Sequence, residues 1–175
     1  FTSNGDLDSL QVTMETISLG ADDSAQLTAR ARYAGSTEIF GFYDASGAPG
    51  PDTTLFHVTD YGFVAGYSES INVEGEFGFF LDPVGRRAGP SLWFSQAAAN
   101  GGEEHMLVYS TPFADTYLLA WEDLPFSISD DDYNDLVIEL TLGGFSPGII
   151  PEPASLLLLG FGVAGMAVLR YRKSQ

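Results

Sequence analysis

Residues 1–142 consist of short apolar runs separated by turn signals about every eight to twelve residues, which is typical of β-sandwiches and barrels. In AQLTARARY, residues 25–33, apolar side chains occupy the odd positions and polar ones the even positions, so we expect Arg30 and Arg32 on the solvent face. The preceding LQVTMETISL changes parity between Met14 and Ile17, which predicts a bulge within one strand. Further predicted strands are STEIFGFYDA, TTLFHV, DYGFVAGY, GEFGFFL, SLWFSQ, HMLVYS, TYLLAWEDL and DLVIELTL. The pattern predicts an all-β fold, a jelly-roll-like antiparallel β-sandwich.

The C-terminal part of the chain departs from this pattern. Residues 143–153 are rich in Gly and Pro and predict an extended linker. Residues 154–169 carry no charge, and Arg170, Arg172 and Lys173 follow them. We therefore predict three regions: a β-sandwich domain at 1–142, a linker at 143–153, and a hydrophobic helix with a basic end at 154–175.

The predicted helix is long enough to be a marginal membrane span. Its sixteen uncharged residues would extend about 24 Å, and the basic end would remain on the cytoplasmic side. The alternative is a helix buried in a soluble core, but the sequence offers no other helices to cover its apolar surface. Gly160 and Ala164 lie four residues apart, which permits close helix packing in a membrane or in the core of a filament. We expect a homo-oligomer or filament formed through this helix.

The charge distribution excludes one class of partner and favours another. The formal net charge is −17, and 23 of the 24 acidic residues lie in residues 1–151, the exception being Glu152. A surface this acidic should repel nucleic acid, whereas it favours hard cations such as Ca²⁺, which prefer oxygen ligands. The chain has no cysteine and therefore no disulfide or thiolate metal site.

The densest acidic stretch is WEDLPFSISDDDYNDLVIEL at 121–140. If its flanking strands are neighbours, the loop between them collects side chains whose mutual repulsion a calcium ion would relieve. The candidate ligands are Glu122, Asp123, Asp130, Asp132, Asn134 and Asp135. The alternative is a solvated acidic turn in which Asp and Asn side chains cap their own backbone.

Catalysis finds little support in the sequence. No GxSxG, HExxH or phosphate-binding glycine motif is present, and Glu122 and Asp123, as neighbours on a strand, should point to opposite faces. We expect His57 to be half-buried and His105 to be structural, although His105 is also placed to bond the acidic loop or a ligand. We predict a protein that is not an enzyme.

Aromatic side chains allow a second kind of function. Tyr61, Phe63, Tyr67, Trp93 and Phe94 are candidates for a sugar-stacking platform, although with 13 Phe and 8 Tyr we expect most aromatic rings to fill the core.

The three-part pattern of the tail resembles a known sorting signal. Pro151-Glu152-Pro153, an apolar segment and an Arg-rich end resemble the PEP-CTERM signal of Gram-negative bacteria that make exopolysaccharide and biofilm. The resemblance implies export to the cell envelope, outer surface or extracellular matrix. It also implies transient membrane retention and recognition by an exosortase-type processing enzyme.

The body resembles a domain family of unknown function found in bacterial surface and calcium-associated proteins. GFYDASG, WFSQAAANGGEEH and the closing WEDL with SDDDYNDLV follow the family's order from about residue 36 to 142. Asp131 stands where the family more usually has Arg.

The combined features predict a secreted structural subunit of the cell surface or extracellular matrix. In this interpretation Ca²⁺ is a structural cofactor, and the subunit is tethered or self-assembled through its C-terminal helix. The alternative is a lectin-like, carbohydrate-binding module for exopolysaccharide.

Overall fold

The computed structural model describes residues 9–72, 74–85 and 92–143. These residues form two antiparallel sheets and one short 3-10 helix, Ala97–Asn100. The larger sheet contains Gln11–Val12 (β1), Ala25–Arg32 (β3), Gly62–Phe63 (β6), Ser68–Ile71 (β7), Met106–Ser110 (β10), Thr116–Trp121 (β11) and Leu136–Leu142 (β12). The smaller sheet contains Thr16–Leu19 (β2), Thr37–Asp44 (β4), Thr53–Val58 (β5), Gly75–Val84 (β8) and Trp93–Phe94 (β9).

In the larger sheet the strand order is β1-β10-β11-β12-β3, and β6 and β7 both pair with the free edge of β3. β11 and β12 form a hairpin whose ladder ends at the pair of Trp121 and Leu136. At the start of β12, Val137 lies opposite Ala31 of β3. The loop 122–135 and the segment after β3 therefore lie at the same end of this sheet.

In the smaller sheet the strand order is β2-β8-β4-β5, and β9 adds to β8. β4 and β8 pair along the whole length of β4, from Thr37 opposite Val84 to Asp44 opposite Phe77. Alternate residues of β4 point inward, because successive side chains of a strand point to opposite faces.

The two sheets pack face to face around one hydrophobic core. The Phe40 ring of the smaller sheet stacks on Phe56 and Phe79 and meets the edge of Trp121 in the larger sheet, with ring centroids 6.0 Å apart in the last pair. Buried side chains from both sheets, among them Leu27, Ala29, Phe79, Leu81, Ile138 and Leu140, belong to the same cluster. The prediction of an all-β, antiparallel fold is confirmed.

The first predicted strand is wrong in one respect. LQVTMETISL is two strands in different sheets: β1 pairs with β10, and β2 pairs with β8. The parity of the apolar residues changes because the chain crosses from one sheet to the other. It is not a bulge within a single strand.

The predicted position of Arg32 is also wrong, because its side chain is buried. Its guanidinium group donates hydrogen bonds to four backbone carbonyls, those of Ala34, Ser36, Thr59 and Asp60. Arg30 lies on the solvent face as predicted and pairs with Glu139, with 2.6 Å between the charged atoms.

Some predicted strands are shorter than expected, and one strand was missed. Within DYGFVAGY only Gly62–Phe63 is a strand, and β7 pairs with β3 although its sequence, SESI, is largely polar and exposed. A short edge strand with little buried surface gives no apolar alternation from which to predict it.

The predicted C-terminal helix, with Gly160 and Ala164, lies outside the described residues, as does the linker apart from Gly143. Across 9–72, 74–85 and 92–143, no helix is long and apolar enough to cross a membrane.

Candidate metal centre

The loop 122–135 carries all six predicted metal ligands. Glu122 follows the last residue of β11, and Asp135 precedes the first residue of β12, so these two residues stand side by side where the hairpin opens. The backbone N–H of Asp123 donates to the Asp135 carboxylate, with 2.8 Å between N and Oδ2. This bond closes the base of the loop.

Two residues in the left-handed region bend the far part of the loop. Asp131 has φ of 57° and Tyr133 has φ of 49°, a conformation that a bulky side chain such as tyrosine rarely adopts. The Tyr133 hydroxyl donates to the Glu104 carbonyl at 2.7 Å, a contact outside the loop that holds Tyr133 in place. The bend returns Asp130 and Asp132 to the neighbourhood of Glu122.

Five carboxylates fall into two groups that share Glu122. The outer group is Glu122, Asp130 and Asp132, and the inner group is Glu122, Asp123 and Asp135. Within each group, one oxygen per residue lies within 4.8 Å of the others. Oxygens that bind one Ca²⁺ at about 2.3–2.6 Å are at most about 5 Å apart, so each group has the dimensions of a cation site.

Asn134, the sixth predicted ligand, carries an amide and lies beside the outer group. Its side-chain amide donates to the Asp132 carboxylate, and its backbone N–H donates to Asp132 Oδ1 at 3.2 Å. Asn134 therefore orients one carboxylate of the outer group. Asp131 is exposed, and its carboxylate accepts a bond from Ser129.

Glu122, the residue shared by both groups, is fully buried. Its Oε1 accepts a hydrogen bond from the Leu124 N–H at 3.1 Å, whereas its Oε2 is buried without a hydrogen-bond partner. Burial raises the pKa of Glu122, and the charges of Asp130 and Asp123 add to the increase. A buried carboxylate oxygen without a partner is unfavourable unless a proton or a cation satisfies it.

A second buried carboxylate, which the sequence prediction missed, extends the inner group. Glu38 of β4 is fully buried, and its Oε2 also has no hydrogen-bond partner. The Ser36 hydroxyl oxygen lies 2.5 Å from Glu38 Oε1 and 2.5 Å from Asp123 Oδ2. A hydroxyl has one proton to donate, so three oxygens this close need a second proton or a nearby cation. One indication of this position was present in the sequence: Glu38 is two residues before Phe40 in β4, so both side chains point to the same, inward face.

Glu38 and Asp135 favour the protonated form at neutral pH when no cation is bound. Burial, reinforced by the charges of neighbouring acids, raises the pKa of Glu38 to about 8 and that of Asp135 to about 8. A hydrogen bond from the Ser36 hydroxyl opposes the increase in the pKa of Glu38, and one from the Asp123 backbone N–H opposes that of Asp135, without cancelling either. Protons and a divalent cation would therefore compete for this cluster.

A buried histidine supports the backbone of the acidic loop. The His105 ring stacks on Trp93 with centroids 3.6 Å apart, and its Nδ1 lies 3.0 Å from the Glu122 carbonyl oxygen. Trp93 Nε1 donates to the Asp123 carbonyl at 2.9 Å. His105 therefore has a structural role and bonds the acidic loop, as expected. The expectation for His57 is wrong, because its side chain is exposed.

The strand pattern predicted that the side chains of Glu122 and Asp123 point to opposite faces, and this prediction is wrong. β11 ends at Trp121, so strand alternation does not apply to the two residues that follow it, and both carboxylates enter the inner group. The geometric reason for rejecting this pair as catalytic acids is therefore wrong.

The predicted aromatic platform is not one surface. Tyr61 and Phe63 are exposed, whereas Trp93 is buried against His105. Tyr67 is partly buried and meets the Phe56 ring at 6.4 Å, and Phe94 packs on Tyr43 at 5.3 Å. Tyr33, which was assigned to the core face of its strand, is instead partly exposed and contacts Tyr61.

A shallow cleft of about 490 Å³ lies at the other end of β4. Its acidic lining residues are Asp44, Asp52, Glu74 and Glu76. Asp44, at this end, is six residues after Glu38 along β4, a distance of roughly 20 Å. Within the described ranges these acids do not form a group of three with the spacing of a cation site.

Two known protein families match parts of the chain. The larger match is to a domain of unknown function (DUF4114), over residues 69–143, from β7 to the end of β12. It includes the acidic loop, Trp93 and His105 and excludes GFYDASG, Ser36 and Glu38. Residues 150–173 match the PEP-CTERM protein-sorting motif, which contains Pro151, Glu152 and Pro153. No curated protein matches the chain.

The chain is therefore an antiparallel β-protein with a sorting motif at its C-terminal end. Residues 150–173 carry a PEP-CTERM sorting motif and residues 69–143 match the DUF4114 domain, and the motif indicates export to the cell surface of Gram-negative bacteria. The motif also implies membrane association and processing by an exosortase.

Proposed function

We propose that this protein is a calcium-stabilised structural subunit of the bacterial surface or extracellular matrix. The observation that carries the proposal is Glu122, a fully buried carboxylate that belongs to both acidic groups and has one oxygen without a partner. Bound Ca²⁺ would satisfy this oxygen and reduce the repulsion between the surrounding carboxylates. The inner ligands would be Glu122, Asp123 and Asp135, and the outer ligands Glu122, Asp130 and Asp132.

The proposed role is structural because the ion would lie between elements that are distant in sequence. Ser36, 87 residues before Asp123, bonds to Asp123 and to Glu38 of β4, so these contacts join β4 of the smaller sheet to the loop of the β11–β12 hairpin in the larger one. A catalytic acid must reach its substrate, whereas Glu122 has no exposed surface. We therefore propose no catalytic role for this cluster.

The C-terminal helix belongs to the same proposal. It would hold the subunit in a membrane or join subunits into a filament by packing at Gly160 and Ala164, and the sandwich would be jelly-roll-like. Replacing Gly160 with Ile would block close packing and should yield smaller particles than the wild type in sedimentation velocity. Particles of unchanged size would contradict assembly through this face.

Thermal unfolding of the full chain in mild detergent tests the calcium site. Free Ca²⁺ at about 100 times its dissociation constant stabilises the folded state by about 2.7 kcal/mol. The unfolding midpoint should therefore be several degrees higher in Ca²⁺ than in excess EDTA. Equal midpoints in the two buffers would contradict the proposal.

Two matched variants locate the effect. Glu122→Gln removes the shared charge but keeps an oxygen for the Leu124 N–H, so it should abolish most of the calcium-dependent shift. Glu69→Gln makes the same chemical change at an exposed position of β7 and should leave the shift intact. An equal loss in both variants would indicate a general charge effect without a defined site.

A further inference from the structure

Three aromatic rings form an exposed cluster where β6 pairs with the end of β3. We call Tyr33, Tyr61 and Phe63 the aromatic patch; their exposed fractions are 38%, 70% and 89%. The Tyr33 ring meets Tyr61 at 5.6 Å and Phe63 at 6.5 Å between centroids, nearly perpendicular to both. Tyr33 therefore forms the centre of the patch, between two rings that project into solvent.

The buried Arg32 side chain fixes both segments that carry these rings. It donates to the carbonyls of Ala34 and Ser36, just after Tyr33, and to those of Thr59 and Asp60, just before Tyr61. The backbone of β6 pairs with Ala31 and Arg32. Because hydrogen bonds hold the backbone of both segments, ligand binding would cost little conformational entropy, which favours affinity.

The size and charge of the patch limit its occupant. Full burial of an aromatic side chain removes about 150–250 Å² from water, so the exposed fractions leave roughly 400 Å². A stable protein interface needs about 800 Å² from each partner, about twice this area. Asp60 precedes Tyr61 in the chain, and the net charge of −17 opposes binding of anionic lipids and polyanions.

We propose that the aromatic patch binds an uncharged polysaccharide by stacking pyranose rings on Tyr61 and Phe63. A pyranose ring presents axial C–H bonds as an apolar face that packs against an aromatic ring, while its hydroxyl groups point outward. The tyrosine hydroxyls are hydrogen-bonding groups of the kind that sugar hydroxyls use. This activity goes beyond a structural role, and none of the patch residues belongs to either acidic group.

Affinity electrophoresis of the full chain tests the proposal. Native gels contain laminarin, dextran, galactomannan or arabinoxylan, with alginate as the polyanion, in a detergent without a sugar headgroup. At least one uncharged polysaccharide should retard the wild type, and alginate should not. Phe63→Ala should weaken that retardation about tenfold, the effect of losing one of the two aromatic rings on which the sugar stacks.

Phe113→Ala is the matched control, because Phe113 is 73% exposed in the turn between β10 and β11. It should leave the retardation unchanged. Both substitutions remove exposed rings, so the unfolding midpoint should match the wild type and exclude misfolding as a cause. Every gel contains Ca²⁺, so any calcium site is occupied throughout. The test of polysaccharide binding is therefore independent of the thermal unfolding in EDTA that tests the calcium site.

Three results would overturn the proposal. The first is no retardation of the wild type by any uncharged polysaccharide. The second is retardation that Phe63→Ala and Phe113→Ala affect equally. The third is a sedimentation experiment in which Phe63→Ala converts wild-type oligomers into monomers, which would assign the patch to a second copy of the chain.

Discussion

At the scale of single residues, the unusual feature of this protein is the number of polar groups in its interior. Arg32, Glu38, His105 and Glu122 are all buried. Arg32 and His105 bond to backbone carbonyls, whereas Glu38 and Glu122 each keep a buried oxygen without a partner. The interior therefore contains a cation whose hydrogen bonds are satisfied and two carboxyl groups that each need a proton or a bound cation.

Arg32→Lys should destabilise the protein by about 3 kcal/mol or more. A lysine ammonium group cannot reproduce the planar fork that bonds four carbonyls, and each lost bond to a charged group contributes about 1.5–3 kcal/mol. Chemical denaturation of the full chain in Ca²⁺ measures the change. Arg30→Lys is the control, because its exposed pair with Glu139 contributes at most about 1 kcal/mol. Equal effects of the two substitutions would contradict this account of Arg32.

At the scale of secondary-structure elements, close backbone contacts set the geometry of the smaller sheet. Gly41 lies in β4, where the pairing with β5 shifts register after Phe40. A Cβ atom at Gly41 would lie 2.1 Å from the Thr53 carbonyl oxygen and 2.6 Å from the Phe80 ring. Glycine is required here because β5 and the Phe80 ring occupy the space of a side chain.

Gly41→Ala should therefore destabilise the protein by roughly 3 kcal/mol, because the clash with backbone can be relieved only by moving β5. Denaturant unfolding gives the free-energy change. Gly47→Ala, in the turn after β4, has no atom within 4 Å of the added Cβ and should change stability by less than about 1 kcal/mol. If Gly41→Ala were as stable as the wild type, β5 could move at little cost in free energy, and this account of Gly41 would be contradicted.

At the scale of the whole molecule, charge and fold are linked through the acidic cluster. The chain has 24 acidic and 7 basic residues, and the sandwich brings several of the acids together at one end. Two of them, Glu38 and Asp135, have a pKa of about 8 because they are buried among other carboxylates. Stability should therefore depend on pH and on calcium together.

In EDTA, the unfolding midpoint should fall as the pH rises from about 5 to about 8. Folding raises the pKa of both groups above their unfolded values near 4, so the native state binds more protons than the unfolded state within this window. Stability is then lost as the pH rises, and the loss is complete above about 8. Saturating Ca²⁺ binds the ionised carboxylates and should reduce this decline.

Asp135→Asn separates this effect from general charge repulsion. The variant should flatten the decline in EDTA and weaken the response to Ca²⁺. Asp22→Asn, in the exposed turn between β2 and β3, should do neither. A midpoint in EDTA that rises between pH 5 and 8 would contradict the raised pKa values.

Local patterns in the sequence were sufficient for the class of fold and for the place of the acidic cluster. The alternation of apolar and polar residues in β3 correctly predicted which side chains point inward, up to Ala31. The spacing of WEDL and DLVIEL predicted a hairpin that brings Glu122 close to Asp135. The PEP segment likewise identified the sorting motif from contiguous residues. All these features depend on residues that are near one another in the chain.

Only the tertiary structure decided the features that depend on distant residues. Ser36 and Glu38 joined the cluster because the Ser36 hydroxyl bonds to both Glu38 and Asp123. Tyr33 joined Tyr61 and Phe63 because β6 pairs with β3. Arg32 is buried because carbonyls from two separate loops converge on it. Alternation along a strand determines which face a side chain occupies, but the pairing of remote strands determines what that side chain meets.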